Sequence, residues 1–391
     1  MTTVYMVRHA EAEGNLYRRV HGWYNSLITD NGYRQIAALR GRFADIHIDA
    51  VYSSDLFRNN DHRQSGSHLS HGLELHTDPG LREISLGAWE DKPWGELERC
   101  DAMNLIRFNH SSPDFRVEGG ETFAQVQARL KGVGAPPGGG PPGPDDRPVL
   151  PRHRHPLPPG GTSCGGWDLG EMDGLGHSDN TAVTCLEVEG ERTRTVFEND
   201  NSHLPDEIST LARQRWWKER DGTSGDANLW FRPLNLKKEG TVYRTARHEA
   251  RAGCNGSAVP SRRGRVPEGR PALLKRAPER AVMCAMQRDE TAGLLQMDLD
   301  RGAAEGVGYI PFLYMDPAHR RQGLGVQLLG QAVSTYRPLG RDRLRLCCAP
   351  DNGIAQRFCQ KWLLVKMGEE PGARGPLDVL EKYIGFEAKE S

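Results

Sequence analysis

The chain has 391 residues, a length that allows two domains of ordinary size, each able to bury a hydrophobic core. Its 51 Lys and Arg residues nearly balance its 52 Asp and Glu residues, and the net charge of −1 excludes a general electrostatic attraction to nucleic acid or membranes. The 45 Gly and 25 Pro residues are about 18% of the chain, against about 12% in average proteins. They follow no Gly-X-Y repeat, which excludes collagen-like proteins.

The first part of the chain has the alternating pattern of an α/β domain. Residues 3–7 form a short apolar run that predicts a strand, and Asp30 opens a segment with one apolar helical face. The predicted strands of this part are 3–7, 48–52 and 181–188, and its predicted helices are 30–43, 121–130 and 205–219.

Gly and Pro concentrate in one stretch of this first part. Residues 132–161 contain 8 Gly and 10 Pro, and no packed element is expected to run through them. A second turn-rich segment, Asp-Gly-Thr-Ser-Gly at 221–225, has the composition of a linker. We therefore predict two domains, 1–225 and 226–391, with an irregular stretch at 132–166 in the first.

The second part of the chain mixes strands and helices around another irregular stretch. Residues 244–280 carry 10 basic and 3 acidic residues with almost no apolar period. A nucleic-acid-binding arm is one interpretation, but no aromatic residues interleave the charges, and we expect no nucleic-acid partner. The predicted strands are 229–234, 281–287, 293–299, 308–315 and 343–348, and the predicted helices begin at Leu236 and span 323–332 and 354–361.

The cysteines and the start of the chain favour a cytoplasmic location. Eight scattered cysteines form no C-x-x-C pair, which suits a reducing compartment better than a disulfide framework, and no metal site is predicted. The first nine residues have neither a basic region nor a long apolar run, so we expect no signal peptide. No run of about 18 apolar residues predicts a membrane span.

Three short motifs near the amino terminus carry groups suited to phosphate chemistry. Arg8 and His9 follow the first predicted strand, at the sheet edge where α/β proteins bind ligands. Arg58 follows the second strand in Ser-Ser-Asp-Leu-Phe-Arg, and Glu83 ends Leu-Arg-Glu. An imidazole can attack a phosphoryl group while arginines neutralise its oxygens.

These spacings, with Gly22 and Thr29 between them, resemble the histidine phosphatase (phosphoglycerate-mutase-like) superfamily over about 1–131 and 167–200. The resemblance implies a three-layer α/β/α fold. It also implies that His9 is phosphorylated and that Glu83 protonates the leaving oxygen. The implied phosphate clamps are Arg8 and Arg58, and the implied substrate-binding residues are Asn15 and Gly22; Ala10 stands where the family usually has Gly.

One family feature is absent from the sequence. The family takes a second histidine from a Ser-His-Gly turn, expected near residue 150, where His153 and His155 stand in a Pro-rich stretch that we interpret as solvated. Read one base later, the codons of residues 148–159 permit Leu-Phe-Ser-His-Gly-Thr-Ala-Ile-Arg, the missing strand and turn. We hypothesise that residues 132–166 are translated out of frame, which resequencing of the DNA tests.

A glycine-rich turn marks the second domain. Arg-Arg-Gln-Gly-Leu-Gly at 320–325 lies between a predicted strand and a helix, where backbone N–H groups can bind a pyrophosphate. With Asn-Gly-Ile-Ala at 352–355, it resembles the GNAT acetyltransferase family over about 227–243 and 281–391. The resemblance implies an α+β fold with acetyl-CoA as co-substrate. The implied cofactor-binding residues are Met315, Arg320, Arg321, Gln322, Gly323, Leu324, Gly325, Val326 and Asn352.

The acid and base of the second domain are less defined. Many family members have Phe-Tyr, whose tyrosine protonates the CoA thiolate, where this chain has Phe358 and Cys359. We interpret Cys359 as a packed residue rather than an acid. Glu305 is a candidate base, and the acetyl acceptor cannot be identified because 244–280 occupies the acceptor region of the family.

Together these features predict a bifunctional enzyme that hydrolyses a small phosphorylated metabolite through a phosphohistidine and transfers acetyl groups from acetyl-CoA to an amine. The short segment between Glu90 and Gly119 leaves little room for the large cap of mutases, which favours hydrolysis. Alternatives are an acetyltransferase with an inactive phosphatase-like domain, phosphotransfer of the phosphoglycerate-mutase type, and two non-catalytic binding modules.

Overall fold

The computed structural model describes residues 1–56, 58, 73–131, 178–189, 192–214, 227–255, 281–372 and 375–386. The chain divides into two units, Met1–Ser224 and Gly225–Ser391, called unit 1 and unit 2 below. Within the described ranges, no helix is both long and apolar enough to cross a bilayer.

Unit 1 combines helices with two small sheets. Its strands are β1 (Thr2–Val7), β2 (Val51–Ser53), β3 (Leu75–Thr77), β4 (Val183–Glu189) and β5 (Arg192–Asp200). Its helices are α1 (Glu13–Tyr17), α2 (Asp30–Phe43), α3 (Trp94–Cys100), α4 (Ala102–Asn109), α5 (Phe123–Lys131) and α6 (Thr210–Arg213). One sheet has the antiparallel order β1-β4-β5, and β2 pairs in parallel with β3.

Two of the four apolar clusters in the described part of unit 1 pack its helices against the first sheet and the Glu83 segment. Helix α2, capped where the Thr29 hydroxyl accepts the Gly32 N–H at 3.0 Å, packs on the first sheet, with the rings of Tyr5 and Phe43 5.3 Å apart. The second cluster lies under the segment that carries Glu83 and so fixes the position of this residue. Its buried members are Val20, Ile84, Leu86, Trp89, Leu97, Phe108, Phe115 and Phe123.

Unit 2 is built on one seven-stranded sheet. Its strands are β6 (Trp230–Pro233), β7 (Val282–Gln287), β8 (Glu290–Asp298), β9 (Val307–Met315), β10 (Arg343–Cys348), β11 (Val365–Gly372) and β12 (Gly375–Tyr383). Its helices are α7 (Leu236–Asn255), α8 (Gly325–Tyr336) and α9 (Gly353–Lys361). The strand order is β11-β12-β10-β9-β8-β7-β6, and only β9 and β10 run parallel.

Helix α7 corrects the prediction of irregular structure from Arg244. The helix continues to Asn255, because Tyr243, Ala246 and Ala250 recur at helical spacing and pack against the sheet. Residues 256–280 lie outside the described residues. The apolar residues of the sheet that are buried in this cluster are Val282, Cys284, Met286, Leu294, Phe312 and Tyr314.

Other predicted elements also differ from the structure. The helix predicted over 205–219 is wrong at its start, where turns precede α6, and the Ser209 hydroxyl caps α6 by accepting the Ala212 N–H at 3.0 Å. Strand β5 and the β11–β12 hairpin are not among the predicted elements. Strands β5 and β11 lie at sheet edges and are largely exposed, so neither needs the apolar alternation that predicts a strand.

The contact between α8 and β9 leaves no space for a side chain at position 308. A Cβ atom on Gly308 would overlap the ring of Tyr336, which is fully buried. The Tyr336 hydroxyl donates to the Tyr309 carbonyl at 2.5 Å and the Asp298 carbonyl at 3.1 Å, which prevents the ring from moving aside.

We therefore expect Gly308→Ala to destabilise unit 2 by about 1–3 kcal/mol, because overpacking a rigid ring displaces backbone or rotamers. Urea denaturation monitored by circular dichroism measures the change. Gly368→Ala is the matched control, since apart from its two chain neighbours no atom of the described residues lies within 4 Å of its Cβ position. Equal midpoints for the two variants would contradict this packing.

A polar cluster connects α2 to the end of β5. Arg42 donates to Asp200 at 2.6 Å and to Nδ1 of His203 at 3.3 Å, so Nε2 of His203 carries the proton and donates to the Thr181 hydroxyl at 3.2 Å. Burial and the Arg42 charge lower the pKa of His203 below its usual 6.5. Burial acts to raise the pKa of Asp200, but hydrogen bonds from Arg42 and Ser202 outweigh this effect and lower the pKa to about 2.

Because folded His203 binds a proton more weakly than the unfolded chain, we expect the stability of unit 1 to fall as pH drops below 6.5. Thermal unfolding between pH 7 and 5 measures this slope, and His203→Gln should flatten it. Asp200 does not contribute in this window, since its stabilisation is lost only below its unfolded pKa of 3.8. The exposed His47→Gln should keep the slope; an unchanged slope in His203→Gln would refute the assignment.

Candidate active sites

His9 lies where β1 ends, and its backbone is held by the turn before β4. The His9 carbonyl accepts the Thr181 N–H at 3.3 Å and the Asn180 side-chain amide at 3.0 Å, while the Arg8 N–H donates to the Ala182 carbonyl at 3.1 Å. These bonds fix the loop that carries the predicted nucleophile.

The tautomer of His9 follows from one contact. Its ring is buried, and Nδ1 lies 2.7 Å from the Ala10 carbonyl oxygen. A carbonyl oxygen only accepts, so Nδ1 carries the proton and Nε2 keeps the lone pair. The side chain of Ala10 takes no part in this bond, so the difference from the family's usual glycine leaves the acceptor in place.

Arg58 and Gly22 are brought together. Arg58 is buried and donates to the Gly22 carbonyl at 2.7 Å and the Tyr24 carbonyl at 3.3 Å. A Cβ atom on Gly22 would overlap the Ile84 carbonyl oxygen and lie 2.5 Å from Oε1 of Glu90, so this close approach requires glycine.

Glu83 contributes a buried carboxyl to the same region. Its Oε1 accepts the Ile84 N–H at 3.3 Å, and its carbonyl accepts Nε1 of Trp23 at 2.7 Å. Glu90 instead binds the backbone N–H groups of Trp23 and Leu86, at 2.8 and 2.9 Å, and so has a structural role. One pocket is lined by His21, Gly22, Glu83, Ile84, Leu86, Trp94 and Phe108.

Asn15 and Arg8 also have defined partners. Asn15 Oδ1 accepts the Ala12 N–H at 3.1 Å at the start of α1 and lies 3.5 Å from the side-chain amide of Asn180, next to the His9 loop. The guanidinium of Arg8 donates to the Ser178 carbonyl. Both residues therefore belong to the network around His9.

His21 is a site residue that the sequence reasoning missed. Its ring meets the His9 ring edge to face, with centroids 5.4 Å apart and planes at 87°. The only signal in the sequence is its position directly before Gly22. His153, His155 and the shifted-frame motif lie outside the described residues, so the structure tests none of them.

The second site lies where β9 and β10 separate. They pair in parallel from Val307 and Arg343 as far as Ile310 and Leu346, and beyond this point β9 continues without β10 as a partner. Pro311 follows the last pair and has no N–H to continue the ladder. A wedge therefore opens between two parallel strands at their carboxyl ends, where ligands bind in α/β sheets.

The glycine-rich turn lies at the mouth of this wedge. Arg321 and Gly323 have φ angles of 63° and 79°, and among the described residues the backbone N–H groups of 321–326 have no acceptor. Arg320 Nε donates to the Met315 carbonyl at 2.9 Å, which ties the turn to the strand end. The side chain of Gln322 donates to the Ala318 carbonyl at 3.0 Å.

The remaining predicted cofactor-binding residues differ in which of their atoms are left accessible by packing. Leu324 and Val326 have buried side chains, so only their backbone is available to a ligand. A Cβ atom on Gly325 would lie 3.0 Å from the Phe358 ring, so this glycine lets α8 approach α9; Met315, at 3.6 Å, would be in ordinary contact. Asn352 caps α9, with its Oδ1 accepting the Ala355 N–H at 3.1 Å.

Cys359 and Glu305 lie in different surroundings. Cys359 is buried, and burial raises the pKa of its thiol to about 11, as for a packed residue. Glu305 precedes β9 at the end opposite to Met315, and its carboxylate lies 3.4 Å from Arg345. Glu305 is therefore engaged by an arginine of β10 at the far end of β9 from Met315.

The chain is similar to known proteins in both units. Residues 4–201 match the histidine phosphatase superfamily (branch 1), and residues 249–363 match the acetyltransferase (GNAT) family. The probable phosphoglycerate mutase GpmB of Cronobacter sakazakii is 30% identical over 160 residues, which cover 39% of this chain and 70% of that protein. The protein of the same name from Proteus mirabilis is 30% identical over 133 residues, 34% of this chain and 60% of that protein.

Two solved structures are also similar. YhfR of Bacillus stearothermophilus is 24% identical with a TM-score of 0.39, covering 52% of this chain and 99% of that one. The alpha-ribazole phosphatase of Shigella flexneri is 16% identical with a TM-score of 0.40, covering 51% and 96%. The α/β class and both predicted families are confirmed by the family matches: the chain belongs to the histidine phosphatase superfamily (branch 1) and carries a GNAT-family domain in unit 2.

Proposed function

We propose that unit 1 hydrolyses phosphomonoesters through a phosphohistidine on His9. The bond from Nδ1 to the Ala10 carbonyl carries the proposal, because it leaves Nε2 as the nucleophilic nitrogen. Two buried or half-buried arginines, Arg8 and Arg58, and the buried carboxyl of Glu83 supply the other groups that phosphoryl transfer requires.

The reaction proceeds in two balanced steps. In the first, Nε2 of His9 attacks phosphorus, the bond to the ester oxygen breaks, and protonated Glu83 gives its proton to the leaving oxygen. In the second, the Glu83 carboxylate takes a proton from water, which attacks phosphorus and releases phosphate and His9. Arg8 and Arg58 neutralise the non-bridging oxygens in both steps.

The segment between Glu90 and Gly119 favours hydrolysis over mutase activity. It forms only α3, α4 and the turns around them. The side chains of Leu97, Phe108 and Phe115 in this segment are buried in the core cluster. This leaves no residues for a large cap that would retain a phosphorylated intermediate while a sugar acid reorients. We therefore assign a small phosphorylated metabolite and water as the substrates.

A second activity, acetyl-CoA-dependent transfer to an amine, is favoured in unit 2 by the wedge between β9 and β10. The N–H groups of 321–326 at the start of α8 are suited to a pyrophosphate, and the β9 edge that ends at Met315 is suited to an extended amide-containing arm. The amine attacks the acetyl carbonyl, the carbon–sulfur bond breaks, and a proton passes from the amine to the thiolate.

To test the first activity, the full chain is assayed with p-nitrophenyl phosphate. We expect His9→Ala to abolish turnover and Glu83→Gln to lower kcat about 10²–10⁴-fold on alkyl phosphates, whose leaving groups need a proton. The loss should be much smaller with p-nitrophenyl phosphate, a better leaving group. His47→Ala, at an exposed position, is the control and should retain full activity.

Hydrolysis by His9→Ala at the wild-type rate would overturn the phosphohistidine mechanism. An acid-labile, base-stable phosphoryl group trapped on the wild-type chain, and absent from His9→Ala, would support it directly. If neither turnover nor trapping occurs, unit 1 is an inactive phosphatase-like domain beside an acetyltransferase.

The second activity is tested by calorimetry with acetyl-CoA. We expect Arg321→Glu to weaken binding about five- to tenfold, because a negative charge is placed beside the N–H groups of the turn. Lys238→Glu makes the same charge change at an exposed position in the first turn of α7 and should bind as wild type. Equal affinities for the two variants would argue against a pyrophosphate at this turn.

A further inference from the structure

Trp23 is an exposed aromatic residue beside the groups proposed for phosphoryl transfer. The residue is 38% exposed, and it belongs to none of the four apolar clusters found in the described residues of unit 1. The carbonyl groups on either side of it, those of Gly22 and Tyr24, accept hydrogen bonds from the Arg58 guanidinium at 2.7 and 3.3 Å. The segment that orients the proposed phosphate clamp therefore also presents this ring.

The chain holds the Trp23 ring in one orientation. The Trp23 N–H donates to Oε1 of Glu90 at 2.8 Å, and Nε1 of the ring donates to the Glu83 carbonyl at 2.7 Å. The Arg82 guanidinium lies over one face of the ring, 4.7 Å from its centre, and both carboxylate oxygens of Asp55 hold this arginine in place. Because the ring is already fixed at one edge and one face, a ligand that packs on its exposed surface orders little side-chain motion.

The exposed ring lies within reach of the leaving group of the proposed reaction. Oε1 of Glu83 is 3.3 Å from the Ile84 nitrogen, and the carbonyl oxygen of the same peptide group is 2.7 Å from Nε1 of Trp23. Joined across this peptide group, the two contacts put the indole nitrogen within about 9 Å of the carboxyl oxygen that would protonate the leaving oxygen. A ring attached to that leaving oxygen through one carbon can therefore pack against Trp23.

We propose that Trp23 stacks on a planar unsaturated ring in the alcohol part of the substrate, so that unit 1 acts on phosphomonoesters of aryl- or heteroaryl-bearing alcohols. The proposal rests on the phosphatase function proposed for unit 1. The Arg82 charge over one face draws on the negative potential of the indole, which weakens the attraction of the opposite face for the C–H groups of a saturated ring. An electron-rich planar ring in offset stacking is favoured instead.

Benzyl phosphate and cyclohexylmethyl phosphate are the paired substrates, because both release a primary alcohol and they differ in whether the ring is planar. We expect the full chain to have a KM about three- to tenfold lower for the benzyl ester, the affinity equivalent of one aromatic stack, with similar kcat. Trp23→Leu should raise the benzyl KM to the cyclohexylmethyl value. Trp23→Phe should retain most of the preference, because it keeps a ring although, like leucine, it lacks the N–H that bonds to Glu83.

The ratio of the two KM values separates stacking from a structural role of Trp23. Loss of the Glu83 contact or of stability would lower the activity of Trp23→Leu on both esters and leave this ratio unchanged. Tyr52→Leu removes another exposed ring of unit 1 and should keep the wild-type ratio. Equal KM values in the wild-type chain, or a benzyl preference that survives in Trp23→Leu, overturn the proposal.

Binding of matched phosphonates separates this proposal from the proposed function. Calorimetry compares 2-phenylethylphosphonate with 2-cyclohexylethylphosphonate, in which a CH₂ group replaces the ester oxygen and prevents hydrolysis. A Trp23-dependent preference for the phenyl compound, without turnover of either ester, overturns the phosphatase function alone. The absence of such a preference overturns the stacking role, whether or not the esters are hydrolysed.

Discussion

The buried carboxylate of Asp179 connects the parts of unit 1 on which the His9 loop depends. It accepts the N–H of Asn180 at 2.8 Å, the N–H of Thr210 at 3.0 Å and the hydroxyl of Ser209 at 2.5 Å. A carboxylate with 1% exposure is stable only with such a set of donors. Asn180, held in this way, donates in turn to the His9 carbonyl, so the loop after β1 is fixed from β4 and α6.

The two candidate sites use the backbone in opposite ways. In unit 1, the Ala10 and Gly22 carbonyl groups accept hydrogen bonds from His9 and Arg58 and so orient two side chains that would bind a phosphate. In unit 2, the backbone N–H groups of 321–326 would bind the phosphate directly. The chemistry proposed for unit 1 would therefore depend on residue identity, whereas the binding proposed for unit 2 would depend on backbone shape.

This difference decides what could be predicted from the sequence. The sequence motifs of unit 1 identify their own candidate residues. In the structure the His9 ring contacts His21, Arg58 donates to Gly22, and Glu83 lines one pocket with His21 and Gly22. The contact between the His21 and His9 rings could not be predicted, because a single histidine beside a glycine has no spacing that separates a site residue from a core residue. The orientation of His21 requires Gly14 and Ser26, whose proximity exists only in the folded chain.

Exposure explains why strands β5 and β11 were missed. Helix α8 and strand β10 have buried apolar residues at regular spacing, and both were predicted to within a few residues. Strands β5 and β11 are stabilised by pairing along one edge and bury few side chains, so their sequences carry little period. Beyond Arg244, the half-buried Arg247 of α7 lies over the Phe312 ring, so a basic side chain interrupts the apolar pattern that predicts a helix.

The Gly and Pro excess is also clearer in the context of the fold. The stretch 132–161 follows α5 and precedes β4, and both elements belong to unit 1, whereas the units divide at Ser224. The stretch therefore does not separate the two units. It interrupts one unit at the position where the family takes its second histidine, as the hypothesis of a shifted reading frame requires. If the frame is correct as written, the phosphatase site proposed for unit 1 would neutralise the phosphoryl group through Arg8 and Arg58, without a histidine from a Ser-His-Gly turn.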